Sequence, residues 1–312
     1  MLKSRNLNVS SRLIFIIVVT FNFFGCKEKE SEESFKFIFM ADVHIQPELN
    51  AGDGFKMAVD KINELKPDFV ISGGDLIMDA LDETFERSIK QYGLYKEISQ
   101  KINIPIYNVI GNHEVFGVYE NSGVDDTHPE YGKKMYKNRI GDGKTYYSFD
   151  HNNWHFIILD VIGITDDNKY IGIVDSVQIK WIKNDIIKLN KDTPIAIVGH
   201  IPFITAHNQL RYGYPNEMKP SLIVTNGLEV LKIFEEYNLR LVLQGHLHFV
   251  EEIIYKDVHF ITGGAVSGYA WKGPKLGFEE GFIAFDVDKN DFSWEFIDYG
   301  WNSTYIDTMT IE

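Results

Sequence analysis

The stretch Phe35-Lys-Phe-Ile-Phe-Met-Ala-Asp-Val-His44 places an apolar run directly before two side chains that can bind a metal. Residues 35–41 have the composition of a buried β-strand. In an open α/β sheet, ligands collect beyond the carboxyl ends of the strands. Asp42 and His44 are two residues apart, so on a strand they would point to the same side. The stretch therefore predicts one corner of a binding site at a sheet edge.

Four further apolar runs end in the same way, each with a glycine before the polar residue. They lead into Gly74-Asp75, Gly111-Asn112-His113, Gly199-His200 and Gly245-His246-Leu247-His248. One such element alone is more often a cap or a core residue, but together the five hold five of the ten histidines. Mixed carboxylate, amide and imidazole donors suit Mn, Fe or Zn better than calcium. The joint pattern predicts a metal site.

The regular alternation of apolar runs and amphipathic segments predicts an α/β domain over residues 35–312. Helices are expected at about 53–65 and 82–102, between strands at 35–41, 69–72 and 104–110, which implies parallel strands. Later segments favour hairpins, the first of them turned at Asn152-Asn153. We expect two packed mixed sheets with helices outside.

Residues 115–145 interrupt this pattern with five glycines and one proline. A connection of this length in a compact domain is usually functional or disordered. Two interpretations stay open, a lid or specificity loop and a solvated excursion.

The N-terminal segment is typical of an export signal. Three basic residues precede the apolar run 13–24, and Gly25 leads into Cys26, the only cysteine of the chain. The run is short for a membrane span, which needs about 20 apolar residues. The arrangement resembles a bacterial lipoprotein cleavage site, which predicts a signal peptide at 1–25, lipidation of Cys26 and a charged linker at 26–34. An uncleaved anchor and a buried cysteine are the alternatives.

The charge balance argues against a nucleic-acid partner. The chain carries 31 basic and 45 acidic residues, a net charge of −14, and removal of residues 1–25 would make it −17. A chain this acidic repels phosphate backbones unless it contains a basic groove, and no cluster of Lys and Arg indicates one.

The five polar blocks, in this order, resemble the signature of the calcineurin-like metallophosphoesterases. The resemblance implies a four-layer αββα sandwich and two divalent cations. By position, Asp42, His44 and His248 would bind one cation, Asn112, His200 and His246 the other, and Asp75 both. A hydroxide shared by the cations would attack phosphorus, with His113 stabilising the phosphoryl oxygens or protonating the leaving group.

The substrate is less defined by the sequence. Met78 and Phe116 stand where purple acid phosphatases and 5′-nucleotidases have a tyrosine and an aspartate, so neither class is expected. Tyr269, Trp271 and Arg211 are candidate substrate contacts. We expect a membrane-anchored lipoprotein of the bacterial cell envelope that hydrolyses a phosphate ester, with a diester slightly favoured. The alternative is a catalytically silent binding or scaffold protein on the same fold.

Overall fold

Two mixed β-sheets form the centre of the computed structural model, which describes residues 34–213 and 216–305. The strands of the first sheet are, in spatial order, β13 (Asp291–Asp298), β12 (Gly281–Asp288), β1 (Ser34–Met40), β2 (Phe69–Ser72) and β3 (Ile106–Asn108). Those of the second are β10 (Val250–Tyr255), β11 (Val258–Gly263), β9 (Leu239–Gln244), β8 (Ile195–Val198), β5 (Trp154–Ile158) and β4 (Tyr147–His151). A separate hairpin consists of β6 (Ile162–Ile164) and β7 (Tyr170–Gly172).

The α-helices of the described residues include the two expected at about 53–65 and 82–102, of which only the second is shorter than expected. They are α1 (Ala51–Leu65), α2 (Phe85–Ser99), α3 (Lys134–Arg139), α4 (Ser176–Ile186), α5 (His207–Tyr212) and α6 (Gly227–Lys232). Side-chain caps fix two of the starts, because Thr84 accepts a hydrogen bond from the Arg87 N–H and Asp175 from the Gln178 N–H. In the described part of the chain, no helix is long and apolar enough to span a bilayer.

Alternation along β1 distributes its side chains between two apolar layers. Phe37 lies between the sheets and stacks on Phe285 with ring centroids 4.5 Å apart. Ile38 and Met40 belong to the outer cluster that also contains Phe55 of α1. Because successive side chains of a strand point to opposite faces, one face of the sheet packs against the second sheet and the other packs against helices. This confirms the αββα sandwich.

Parallel pairing brings the polar blocks to one edge. β1 and β2 pair in parallel with Met40 opposite Ser72, so the segments that follow them leave the sheet side by side. β8 and β9 are parallel neighbours in the second sheet, and they lead into Gly199 and Gly245. A Cβ added to Gly245 would lie 2.8 Å from Asp42 Oδ2, so the two sheets meet closely here. The carboxyl ends of both sheets supply one site.

The segment 115–145 is neither a structureless excursion nor mostly solvated, which corrects that part of the expectation. It contains a 3-10 turn (Glu120–Ser122) and α3, and Phe116 pairs with Gly132 through two backbone hydrogen bonds. Met135 and Tyr136 are buried. Sequence periodicity missed these short elements because each spans less than two helical turns. A lid function stays a prediction.

Lys133 fastens this segment to the second sheet. Its ammonium contacts both carboxylate oxygens of Asp160, at 2.7 and 2.6 Å, and also the Ile162 carbonyl oxygen. The buried Asp160 carboxylate is therefore paired with Lys133 and not with a histidine.

Replacing Lys133 with methionine is expected to lower the free energy of unfolding by about 2 kcal/mol, because it leaves the Asp160 carboxylate without its cation. The partial exposure of Lys133 keeps the value below that of a fully buried pair. Urea unfolding of this variant, with Lys188→Met as an exposed control, measures it. An unchanged unfolding free energy would show that the contact is not stabilising.

The predicted signal peptide at 1–25, lipidation of Cys26 and nearly all of the predicted linker lie outside the described residues. They stay predictions.

Candidate metal centre

Five of the predicted metal ligands have left-handed backbone conformations. The φ angles are 56° at Asp42, 44° at His44, 51° at Asp75, 71° at His246 and 58° at His248. Non-glycine residues rarely adopt positive φ, and such strain concentrates at functional sites. β1 ends at Met40, so Asp42 and His44 converge through this turn and not through strand alternation, as the sequence had suggested.

One group of donors joins the end of β1 to the segment after β9. Asp42 Oδ1 lies 3.3 Å from His248 Nε2 and 3.8 Å from His44 Nε2. The two Nε2 atoms of His44 and His248 are 3.0 Å apart. These three side chains place their ligand atoms within 4.8 Å of one another, close enough to bind one cation.

A second group joins the segments after β2, β8 and β9. The ligand atoms of Asp75, His200 and His246 also lie within 4.8 Å of one another. Asp75 Oδ2 is 3.0 Å from His200 Nε2 and 3.7 Å from His44 Nε2. The Asp75 carboxylate is therefore within reach of both groups, as expected of a shared ligand.

Backbone carbonyls fix the orientation of two of the imidazoles. The Nδ1–H of His248 donates to the Gly268 carbonyl at 2.6 Å, and that of His200 to the Gly73 carbonyl at 2.9 Å. A ring that donates from Nδ1 in its neutral form has a lone pair at Nε2. Metal-binding histidines are commonly held in this way.

Several buried donor atoms at the cluster have no hydrogen-bond partner among the described residues. They are His44 Nδ1, Asn112 Oδ1 and both ring nitrogens of His246. A buried polar atom without a partner costs about 1–3 kcal/mol, so such atoms rarely concentrate in one place without a ligand. The donor set fits two divalent cations of the Mn, Fe or Zn class.

Burial and neighbouring charges shift the pKa values of the cluster histidines in opposite directions. Burial lowers the pKa of His246 to about 3 and that of His44 well below its usual range, so both rings are neutral. Burial also opposes charge on His200, but the Asp75 carboxylate outweighs it and raises the pKa of His200 to about 9. A cation that binds there has to displace this proton.

Glu114 supports the segment that carries Asp75. Its buried carboxylate accepts hydrogen bonds from the backbone N–H groups of Asp75, Leu76, Ile77 and Gly111 at 2.7–3.2 Å. The sequence showed Glu114 only as the neighbour of His113 and gave it no role. Its contacts indicate that it holds the positions of Asp75 and Gly111.

His113 lies beside the cluster and is partly exposed. Its Nε2 is 3.8 Å from Asp75 Oδ2, and its Nδ1–H donates to Asp79 Oδ1 at 3.1 Å. Asp79 also accepts hydrogen bonds from the Leu81 and Asp82 N–H groups in the turn before α2, whose N-cap is Thr84. The contact with His113 gives it a second role. Burial lowers the pKa of His113, but Asp75 and Asp79 outweigh burial and raise it to about 9.

Replacing Asp79 with asparagine is expected to lower kcat about 10-fold to 100-fold, because His113 loses the carboxylate that orients its ring. The same change lowers the pKa of His113, so activity that needs its proton should decline at a lower pH than in the wild type. Rate profiles between pH 6 and 10 measure both effects, with Asp82→Asn as the control. An unchanged alkaline limb would assign Asp79 a purely structural role.

Trp271 is not a substrate contact, and that prediction is wrong. The residue has no exposed surface, and its ring packs on Gly54. Its Nε1–H lies 3.0 Å from the Val43 carbonyl and 3.1 Å from that of His44, so Trp271 supports the turn that carries the ligands. The sequence showed an aromatic residue near the active edge but not its burial.

The other two candidate contacts, Tyr269 and Arg211, are at the surface. Tyr269 is 53% exposed and follows Gly268, whose carbonyl holds His248. Arg211 lies in α5 with its guanidinium 5.5 Å from the Tyr212 ring centroid. Tyr170 of β7, which no sequence pattern indicated, has its ring centroid 6.1 Å from that of His246.

Comparison with known proteins agrees with this geometry. A family model described as calcineurin-like phosphoesterase matches residues 35–250. The DNA double-strand break repair protein Mre11 of Methanococcus maripaludis is 35% identical over 88 residues, which are 26% of this chain. The match spans 23% of the length of that relative.

Solved structures share the fold at low sequence identity. A dimetal phosphatase from Danio rerio superposes with a TM-score of 0.58 at 16% identity, covering 84% of this chain and 95% of that one. GAP50, described as the anchor in the inner membrane complex of Plasmodium, superposes with a TM-score of 0.54 at 15% identity, with 87% of each chain covered. A purple acid phosphatase from yellow lupin superposes with a TM-score of 0.51 at 13% identity, covering 85% of this chain and 52% of that one.

Proposed function

The chain belongs to the calcineurin-like phosphoesterase family, and we propose that it hydrolyses a phosphate ester at the cluster around Asp75 with two divalent cations. The observation that carries the proposal is the position of the Asp75 carboxylate, 3.7 Å from His44 and 3.0 Å from His200. A shared carboxylate between two groups of donors is what a two-metal site needs. Bound cations would polarise the phosphoryl group and acidify a water molecule.

The protein side chains divide the remaining tasks among them. Asp42, His44 and His248 would bind one cation, Asn112, His200 and His246 the other, and Asp75 both. His113 keeps one ring nitrogen on Asp79 and points the other toward the cluster, so it is placed to donate a proton or a hydrogen bond. Its side chain is 27% exposed, so a substrate at the cluster would meet it.

We favour a phosphodiester over a monoester. A monoester dianion carries one more charge, which an adjacent lysine or arginine would match. Among the described residues, the ion pairs of Asp42 and Asp75 involve only histidines. The net charge of −14 also disfavours a nucleic-acid substrate, although the short match to Mre11 makes DNA a necessary control.

Hydrolysis of methyl 4-nitrophenyl phosphate, 4-nitrophenyl phosphate and single-stranded DNA, each with Mn²⁺ and with chelator, tests these alternatives. We expect chelator-sensitive turnover that is fastest on the diester. Turnover on the monoester alone would contradict the diester preference. No chelator-sensitive turnover on any ester would favour a scaffold, a role consistent with the description of one fold neighbour as an anchor.

We further propose that Cys26 is lipidated and that the protein is anchored in the bacterial cell envelope. The support is the sequence itself, with a basic start, a short apolar run and Gly25 before the single cysteine. Detergent partitioning of the wild type and of Cys26→Ser tests it. We expect the wild type in the detergent phase and the variant in the aqueous phase, whereas equal partitioning would contradict lipidation.

A further inference from the structure

A cavity of about 290 Å³ lies between α5, Phe249 and the turn at Leu276. The side chains that line this cavity, called here the aromatic cavity, are His207, Leu210, Arg211, Phe249, Leu276 and Phe278. Phe249 directly follows His248, one of the predicted ligands. The wall of the cavity and one ligand group therefore share the chain segment that follows β9.

Three rings form much of the wall. The ring centroids of His207 and Phe249 are 5.5 Å apart, and those of Phe249 and Phe278 are 6.3 Å apart. An apolar cavity of about 150 Å³ binds a benzene molecule, so the aromatic cavity has room for one ring or two fused rings. Ring faces and edges around it favour a flat aromatic group.

Leu276 occupies a position that its own conformation disfavours. Lys275 and Phe278 exchange two backbone hydrogen bonds of 3.0 Å across a two-residue turn. Within the turn, Leu276 has a φ of 55° and Gly277 a φ of 84°, a geometry that favours Asn or Gly. Leu276 is also 52% exposed. A strained, exposed leucine at a cavity rim points to binding.

One cation, Arg211, lines the aromatic cavity, and a second, Lys275, belongs to the turn that carries Leu276. Lys275 directly precedes Leu276, and its ammonium lies 5.4 Å from the centroid of the Tyr269 ring. In the part of the chain that the structure describes, neither Lys275 nor Arg211 forms an ion pair. In a chain with a net charge of −14, two cations without an acidic partner suit an anionic ligand.

We propose that the aromatic cavity binds an aromatic group of the substrate whose anionic substituent contacts Arg211 and Lys275. The inference rests on the proposed function and adds a substrate class to it, namely phosphodiesters with an acidic aromatic ester group. The phosphoryl group would lie at the metal centre while the ring enters the cavity beside Phe249.

Calorimetric titration of the Mn²⁺-loaded protein with phenylphosphonate and methylphosphonate tests the apolar part. We expect phenylphosphonate to bind about 10-fold more tightly, because only its ring fills the cavity. Leu276→Asn should reduce this preference to about 3-fold and leave methylphosphonate binding unchanged. Tyr255→Ala, an exposed aromatic residue of β10, is the control and should keep the full preference.

The thermal midpoint of Leu276→Asn separates binding from structure. Asparagine tolerates positive φ, so the midpoint should stay equal to that of the wild type or rise. A lower midpoint together with an unchanged phenyl preference would make Leu276 structural and overturn its role at the cavity.

Titration with 4-carboxyphenylphosphonate tests the cationic part. We expect it to bind at least about 5-fold more tightly than phenylphosphonate, and Arg211→Gln and Lys275→Gln each to remove most of that gain. Equal affinity of the wild type for the phenyl and methyl compounds would overturn the cavity proposal while phosphodiester hydrolysis still stood. Absence of hydrolysis would contradict the proposed function. The relative affinity for phenylphosphonate and methylphosphonate would still show whether the aromatic cavity binds a ring.

Discussion

Replacing Asp75 with asparagine is expected to lower kcat/KM at least about 10³-fold and to reduce metal content from two ions per chain to one or fewer. The carboxylate is within 3.7 Å of His44 on one side and 3.0 Å of His200 on the other. An amide supplies no negative charge to share between two cations. Loss of about 4 kcal/mol of transition-state stabilisation corresponds to this drop in rate.

Elemental analysis after Mn²⁺ reconstitution and initial rates on a diester measure the two effects of Asp75→Asn. Thermal unfolding adds a third readout, because a cation that binds only the folded state raises the midpoint. The wild type should gain more from Mn²⁺ than the variant does. Asp257→Asn, at an exposed turn with positive φ, is the matched control. Two tightly bound ions in Asp75→Asn would contradict the shared-ligand role.

Replacing His113 with asparagine is expected to lower kcat about 10²-fold to 10³-fold with both metal ions retained. The ring is 27% exposed, its Nδ1–H is held by Asp79, and its Nε2 lies 3.8 Å from the Asp75 carboxylate. Its ligand atom lies within 4.8 Å of those of His44 and Asp75, but the proposed ligand sets of both cations are complete without it. Its loss should therefore remove proton transfer and leave the cations in place.

Parallel measurement of turnover and metal content decides the role of His113. Loss of both ions with the activity would make it a ligand. Combination with Asp79→Asn gives a further check, because a residue that acts only through His113 has no effect once His113 is gone. Additive losses in the double variant would mean that Asp79 contributes independently.

Local sequence patterns predicted the ligands because each belongs to a short segment after a strand. The run before Asp42 and the run before His246 both read as buried strands, and parallel strands deliver their carboxyl ends to the same edge. The order of the five blocks was then enough to predict Asp42, His200 and His248 as neighbours. Strand alternation did not correctly explain why Asp42 and His44 point to the same site. The two side chains converge because their left-handed φ angles form a turn.

Roles that depend on contacts through space were beyond the sequence. Glu114 binds the backbone of residues nearly 40 positions earlier, and Asp79 meets His113 across 34 positions. Nothing local distinguishes either carboxylate from a cap or a surface acid. Trp271 is a case in which the sequence allowed two roles. A tryptophan near the ligand segments can stack on substrate or be buried in the core. Its ring is buried because Gly54, which has no side chain, leaves room for it.

Anomalous diffraction from crystals of the Mn²⁺-reconstituted protein tests the two-metal claim most directly. We predict two peaks per chain, one among Asp42, His44 and His248 and the other among Asn112, His200 and His246, with the Asp75 carboxylate between them. A single peak, or two peaks of which neither contacts Asp75, would contradict the account.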